Sequence, residues 1–475
     1  LRDLFASLHL GLFKKLVGIW SIIKKKEVVS MEQKNRGTWA SSFGFIMAAA
    51  GSAVGLGNLW KFPYLAGMNG GGAFVLIYLL IVVFVGYTIM LGEMTIGRAT
   101  QLNALGAYKK LNKKYTWVGA CGVLAGFLIL SFYNVVGGWV IKYIIQFLFG
   151  GVKGNASEFF GSFISSAAEP LIWTLVFAAF TGYIVWRGIS GGIEKFSKVM
   201  MPALFVLLVV VVIRSVTLPG AGAGLAFYLT PDFSKLTPST IVAALGQVFF
   251  SLSLGMGCMI TYGSYLNKDE NLAKDAFIVP FMDTAVALLA GFAIMPAVFA
   301  FGYEPGAGPG LMFITLPSIF AEMPLGTIFG LCFFILVLFA AVTSSISLLE
   351  VCAAYCIDEF KWSRTKATWL LTGIIFILNI LSSLSMGPLS HVLIFGKNFF
   401  DLFDFITSNI LLPLGGLMMC IFIGYVWGID NAIAEITQNG KFPFKSRGFW
   451  TLMVKVIAPI AVFIVFLNTL GIIKF

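Results

Sequence analysis

Two stretches of a strongly apolar chain carry residues that an uninterrupted helix avoids. GSAVGLGN (Gly51 to Asn58) places Gly51, Gly55 and Gly57 within seven residues, each costing up to about 1 kcal/mol against alanine in a helix interior. SLSLGMG (Ser251 to Gly257) repeats the pattern less severely. Backbone unwound in hydrocarbon leaves amides and carbonyls unpaired, which is tolerated only where they face a cavity or a ligand. That is binding chemistry, although glycine in membrane helices also serves close packing. Asp283, Glu93 and Glu350 add carboxylates inside apolar runs. Such groups are costly in lipid and mark function by default; for Glu93 and Glu350 only helix pairing is expected. Catalysis has little material. His9 and His391 are the sole histidines, too few for a histidine-ligated metal or a hydrolase triad. The six cysteines (Cys121, Cys258, Cys332, Cys352, Cys356, Cys420) all lie in apolar runs, where they act as small hydrophobes.

The elements that must position these residues follow from composition. The 475 residues are 59% hydrophobic and 11% charged, with mean hydropathy +0.94, which excludes soluble domains. At roughly 20 apolar residues per span there is room for about ten to twelve. Apolar runs fall near 41–64, 73–97, 116–149, 169–186, 193–214, 239–264, 276–302, 325–357, 367–386, 399–427 and 450–472. GYEPGAGPG and ITLPSIFAEMP, between the seventh and eighth, are too broken by Pro and Gly to span and suit a folded external loop. Basic residues concentrate in the N-terminal tail and in the joints after even-numbered runs. Lys153, Arg214, Lys235, Lys397 and Lys474 alone lie on the other side. The imbalance puts the N-terminus in the cytoplasm and, with eleven spans, the C-terminus outside. It also accounts for the net charge of +11 without nucleic acid as a partner.

The broken runs are the first and the sixth. Five spans, five spans and one extra therefore describe the order, and because five is odd the second set starts from the opposite face: an inverted repeat. Residues 31–475 are expected to form one transporter domain, with repeats at 41–214 and 239–427 and an extra helix at 450–472. The first thirty residues are separate. Leu1, Leu4, Phe5, Leu8, Leu12, Leu16, Ile19, Trp20 and Ile23 recur at helical spacing, as in an interfacial amphipathic helix. Lys26, Glu27 and Val28 are equally encodable as a ribosome-binding sequence ahead of Met31, so the natural start is expected at Met31.

Arg36 and Trp39, GSAVGLGNLWKFPY, NGGGAF (Asn69 to Phe74), SFYNVVGGW around Tyr133, GQVFFSLSLGMG (Gly246 to Gly257) and AVTSSISLLE (Ala341 to Glu350) resemble the neurotransmitter:sodium symporter family. The resemblance runs from about Arg36 through every span, and eleven spans are similar to the family's bacterial amino-acid transporters. It implies an all-α integral membrane fold of leucine-transporter-like type, a 5+5 inverted repeat with broken first and sixth helices. It also implies sodium as the co-transported ion. One sodium site would use Ala53, Asn58, Ser251 and Asp283; the second Gly51, Val54, Ala340, Thr343 and Ser344. A zwitterionic amino acid would meet Ala53, Gly55, Leu56, Gly57, Phe250 and Ser251 with the Tyr133 hydroxyl. Its side chain would lie among Ile129, Tyr133, Phe250, Ser253, Met256 and Ser344. Arg36 with Asp358, supported by Trp39 and Tyr265, would close the inside; Lys61 with Asp404 would close the outside, under a lid of Phe250 over Tyr133.

Two departures matter. Relatives often have a neutral side chain at Asp283, and some bacterial ones place glutamate one turn later, where this chain has Ala287. Asp283 would itself supply the negative charge that chloride supplies elsewhere, giving chloride-independent uptake and protonation of Asp283 when sodium leaves. Lysine at position 61 replaces the usual arginine and loses its bidentate fork. The expected protein is a bacterial inner-membrane symporter of hydrophobic or aromatic L-amino acids (tyrosine, tryptophan, leucine-like), with the bilayer and its substrate as partners. It is not expected to be an enzyme. A channel would need a continuous lined pore, and a sensor would bind without moving its ligand. Oligomeric state is not legible.

Overall fold

The computed structural model describes residues 37–304 and 310–473. The chain divides into Leu1–Thr38 and Trp39–Phe475; of the first unit only Gly37 and Thr38 are described. Arg36, expected as a gate residue, and the apolar pattern of residues 1–30 lie outside the described residues.

Among the described residues, nine helices are long and apolar enough to cross a bilayer, and one bent pair makes a tenth. The pair is α1 (Ser42–Ala53) and α2 (Gly57–Met68), bent by 49°. The chain continues through α3 (Gly72–Thr100), α4 (Lys113–Leu148), α5 (Glu169–Trp186) and α6 (Ile189–Val216). The sixth apolar run divides into α7 (Pro238–Ser251), too short to cross alone, and α8 (Cys258–Gly263). After it come α9 (Leu272–Ala300), α10 (Gly326–Phe360), α11 (Arg364–Leu384), α12 (Phe399–Thr437) and α13 (Arg447–Thr469). Leu311–Glu322, in the segment expected to be a loop, is a short apolar helix.

Local signals fix where the broken spans begin. Ser41 caps α1 by accepting the Gly44 amide. Thr237 and Thr240 cap α7 reciprocally, with Pro238 at its first position, where the missing N–H costs nothing. α4, α5, α10 and α11 pack on one another as a block. A buried polar chain ties them. Thr181 and Ser345 share a hydrogen bond of 3.0 Å, Ser345 donates to Asn134 at 3.2 Å, and Asn134 to Asn379 at 3.2 Å. The Asn379 amide also donates to the Leu130 and Ser131 carbonyls at 2.8 and 2.7 Å.

Candidate functional site

The two breaks differ from the expected order of severity. Only Val54 to Leu56 separate α1 from α2, whereas Leu252 to Gly257 separate α7 from α8. In the second break Ser253, Gly255 and Gly257 alternate at φ of 54°, 79° and 74°. This left-handed conformation suits glycine and strains serine. A Cβ on Gly255 would lie 2.2 Å from the Leu412 carbonyl oxygen, so the crowding alone demands glycine.

The freed backbone groups find side-chain partners. Glu93 on α3 accepts the Gly255 amide at 2.7 Å. Gln247 donates to the Gly57 carbonyl at 2.8 Å. The Ser253 hydroxyl donates to the Ser52 carbonyl at 2.7 Å, so the second break holds the last turn of α1. Glu93 therefore supports an unwound segment, beyond the helix pairing expected of it. Glu350 does pair helices: it accepts from Tyr265 at 2.6 Å and makes a two-point ion pair with Arg364 at 2.7 and 3.0 Å.

Asn58 and Ser251 of the first expected cation set converge on the buried carboxylate of its third member, Asp283. The Asn58 amide donates to Asp283 Oδ1 at 2.7 Å and to its carbonyl at 3.1 Å. Ser251 donates to both Asp283 carboxylate oxygens at 3.1 and 2.9 Å, and Tyr78 to Oδ2 at 3.4 Å. Asn58 Oδ1 in turn accepts the Gly55 amide. No basic side chain among the described residues forms an ion pair with Asp283, which is fully buried. A buried carboxylate beside the Ser251 and Tyr78 hydroxyls, with the Asn58 amide next to it, supplies hard oxygens of the kind a small cation takes. Ala53, the fourth residue of that set, lines a small central cavity instead.

The second set gathers where α10 meets the α1 break. Ser344 Oγ lies within 3.5 Å of the Gly51 carbonyl and 3.3 Å of the Ser52 and Val54 carbonyls. Thr343 donates to the Phe339 and Ala340 carbonyls at 2.9 and 3.1 Å. All these groups are oxygen donors.

Between the two sets lies a cavity of ≈ 20 Å³. Every residue expected to touch substrate lines it except Ser251, which turns to Asp283. Ser52 and Leu348 line it too. Leu56 donates its amide to the Tyr133 hydroxyl at 3.4 Å. Above is a larger cavity of ≈ 160 Å³ walled by Trp60, Lys61, Tyr64, Phe132, Phe400 and Asp404. Leu56, Tyr133 and Phe250 line both cavities and so form the partition. Lys61 and Asp404 share the larger cavity without an ion pair. The Lys61 ammonium sits 4.7 Å from the centre of the Phe250 ring, and Asp404 accepts from Ser408.

At the opposite end Trp39 is buried, donates from its indole to the Tyr262 carbonyl at 3.0 Å, and packs edge-on to Phe45, Tyr262 and Tyr265. Asp358 accepts from the Asn103 backbone and side chain, both at 2.9 Å.

Sequence reasoning missed Ser52, Tyr78, Gln247 and Leu348. Gln247 carried a signal, since it stands one turn before Ser251 on the same helix face. Leu348 stands one turn after Ser344. Tyr78 carried none, being one aromatic in an apolar run.

The model of the sodium:neurotransmitter symporter family matches residues 36–152 and 164–475. An uncharacterized sodium-dependent transporter of Bacillus subtilis is 45% identical over 452 residues, covering 94% of this chain and 100% of that protein. The sodium-dependent serotonin transporter of Drosophila melanogaster is 26% identical, covering 93% of this chain and 77% of that protein. The crystal structure of MhsT in complex with L-phenylalanine matches with a TM-score of 0.85 at 47% identity, covering 91% of this chain and 100% of that one.

Proposed function

Because the chain belongs to the sodium:neurotransmitter symporter family and is a multi-pass, sodium-dependent membrane transporter, we propose that it imports hydrophobic or aromatic L-amino acids by alternating access, independently of chloride. The observation that carries the substrate class is the wall of the central cavity. Ile129, Phe250, Met256 and Leu348 surround it, with the Tyr133 hydroxyl and the amides of the α1 break as its polar end. An apolar pocket with a few convergent polar groups selects an apolar side chain and fixes the head that all amino acids share. L-Phenylalanine bound to MhsT agrees with this class. At ≈ 20 Å³ the cavity must widen to take such a side chain, and Met256 supplies the means through its unbranched thioether.

Asn58, Ser251, Asp283 and the Ala53 carbonyl hold one sodium; the Gly51, Val54 and Ala340 carbonyls with Thr343 and Ser344 hold the other. Asp283 brings the negative charge to the first site, so no anion is needed, and it takes up a proton when sodium leaves. Phe250 moves over Tyr133 on the outer side, with Lys61 and Asp404 above it, while Trp39, Tyr265 and Asp358 hold the inner side with Arg36. With the N-terminus cytoplasmic in a bacterial inner membrane, import follows from the inward sodium gradient. One sodium crossing 100 mV releases about 2.3 kcal/mol, which sustains roughly 40-fold accumulation at about 1.4 kcal/mol per decade.

The test is uptake into proteoliposomes under an imposed sodium gradient, with twenty radiolabelled amino acids and with gluconate exchanged for chloride. Saturable uptake and counterflow of large apolar amino acids, unchanged in gluconate, are expected. Preference for glycine, or collapse without chloride, would overturn the respective half of the reading.

A further inference from the structure

We propose that Arg214 and Ser215 form a binding site for one phosphate oxygen of an anionic phospholipid at the rim of the helix bundle. Both residues stand in the last turn of α6 and line a cleft whose walls include Leu218, Ile294, Phe320 and Phe329. Ser215 is 3% exposed, and its hydroxyl has no hydrogen-bond partner among the described residues; the buried Arg214 Nε has none either. Arg214 makes no ion pair among those residues, and its guanidinium lies 5.7 Å from the centre of the Phe329 ring.

Two unused hydrogen-bond donors facing one cleft, one of them on a permanent cation, call for an acceptor that carries negative charge. The cleft's free volume is ≈ 10 Å³, about that of a single water-sized sphere. It therefore admits one oxygen atom and leaves the body of the ligand outside. Residues next to the lining in the chain identify that body. Ile213, beside Arg214, and Ile328, beside Phe329, are each 57% exposed, and Leu325, two after Met323, is 69% exposed; on a membrane protein such side chains are covered by hydrocarbon. A ligand that is anionic at one atom and apolar beside it is a lipid. Arginine in the last helical turn reaches headgroup depth, where its guanidinium can donate to a lipid phosphate. The cleft joins α6, α9, α10 and the Leu311–Glu322 helix. A lipid seated there ties the rim of the two helices that carry Asp283 and Ser344.

The experiment is native mass spectrometry of the intact detergent-released protein, titrated with phosphatidylglycerol or phosphatidylcholine. The reading does not depend on transport, so its failure is separable from failure of the symporter reading. Wild type should hold one phosphatidylglycerol at least fivefold more tightly than Arg214→Gln. Ser215→Ala, a milder change that keeps the cation, should fall between them, and Lys235→Gln, on an exposed loop residue, should match wild type. Inorganic phosphate should not compete at millimolar concentration. Equal retention by wild type and both cleft variants would overturn the proposal and leave a bridging water as the occupant. Displacement by inorganic phosphate would also overturn it, reassigning the cleft to a free anion.

Discussion

Lys61 and Phe250 meet in the larger cavity, with the ammonium 4.7 Å from the ring centre. Asp404, the partner expected for Lys61, lines the same cavity but is held by Ser408 at 2.7 Å. A compact, strongly hydrated ammonium gains little from a half-buried carboxylate already held by a hydroxyl, whereas the face of a ring that also walls the central cavity is within reach. Such a contact contributes about 0.5–1 kcal/mol at an exposed site. Lys61→Met should therefore speed release of bound amino acid to the outside by roughly 2- to 5-fold, while Asp404→Asn changes it less. Stopped-flow dissociation of a labelled substrate measures both.

Asp283→Asn keeps the size of a side chain that accepts from Asn58, Ser251 and Tyr78, but removes its charge and turns one acceptor oxygen into a donor. The sodium concentration for half-maximal uptake should rise at least tenfold, equivalent to about 1.4 kcal/mol. Chloride should partly restore uptake in the variant and do nothing for wild type. Sodium titrations in chloride and in gluconate decide this.

Two glycine substitutions should separate function from folding. A Cβ on Gly55 would stand 2.6 Å from Ser344 Oγ and 3.1 Å from the Tyr133 hydroxyl, both ends of side chains. Gly55→Ala should fold, and lose affinity for amino acid and sodium together. On Gly255 a Cβ would meet backbone, the Leu412 carbonyl at 2.2 Å, at a φ of 79°. Gly255→Ala should fail to accumulate as monodisperse protein. Size-exclusion profiles beside binding isotherms distinguish the two.

Asn379 touches no part of the cavity, yet donates to the carbonyls of Leu130 and Ser131, just before Tyr133, and accepts from Asn134, just after it. Asn134 leads to Ser345, next to Ser344. The chain thus fixes the two cavity walls on α4 and α10. Interhelical hydrogen bonds in membranes average about 0.6 kcal/mol each, so Asn379→Ala should cost roughly 1–2 kcal/mol in thermal unfolding of the purified protein. The half-saturating amino-acid concentration should rise more than maximal uptake falls. Asn379→Gln, which keeps the amide, should recover part of the stability.

The amino-acid order alone determined the membrane class, the all-helical fold and the places where two apolar runs break. Each follows from quantities that accumulate along a chain: apolar length against bilayer thickness, and glycine where helix continuation is costly. The same order singled out Asp283, since a lone carboxylate in an apolar run stands out without any partner being known. Tertiary structure alone decided how the freed groups are satisfied. Glu93 reaches Gly255 across 162 positions and Ser253 reaches Ser52 across 201, and Tyr78 meets Asp283 from another helix. Hydrogen bonds act over about 3 Å of space and are indifferent to separation along the chain. No periodicity therefore announces them, and they exist only once packing has brought the helices together.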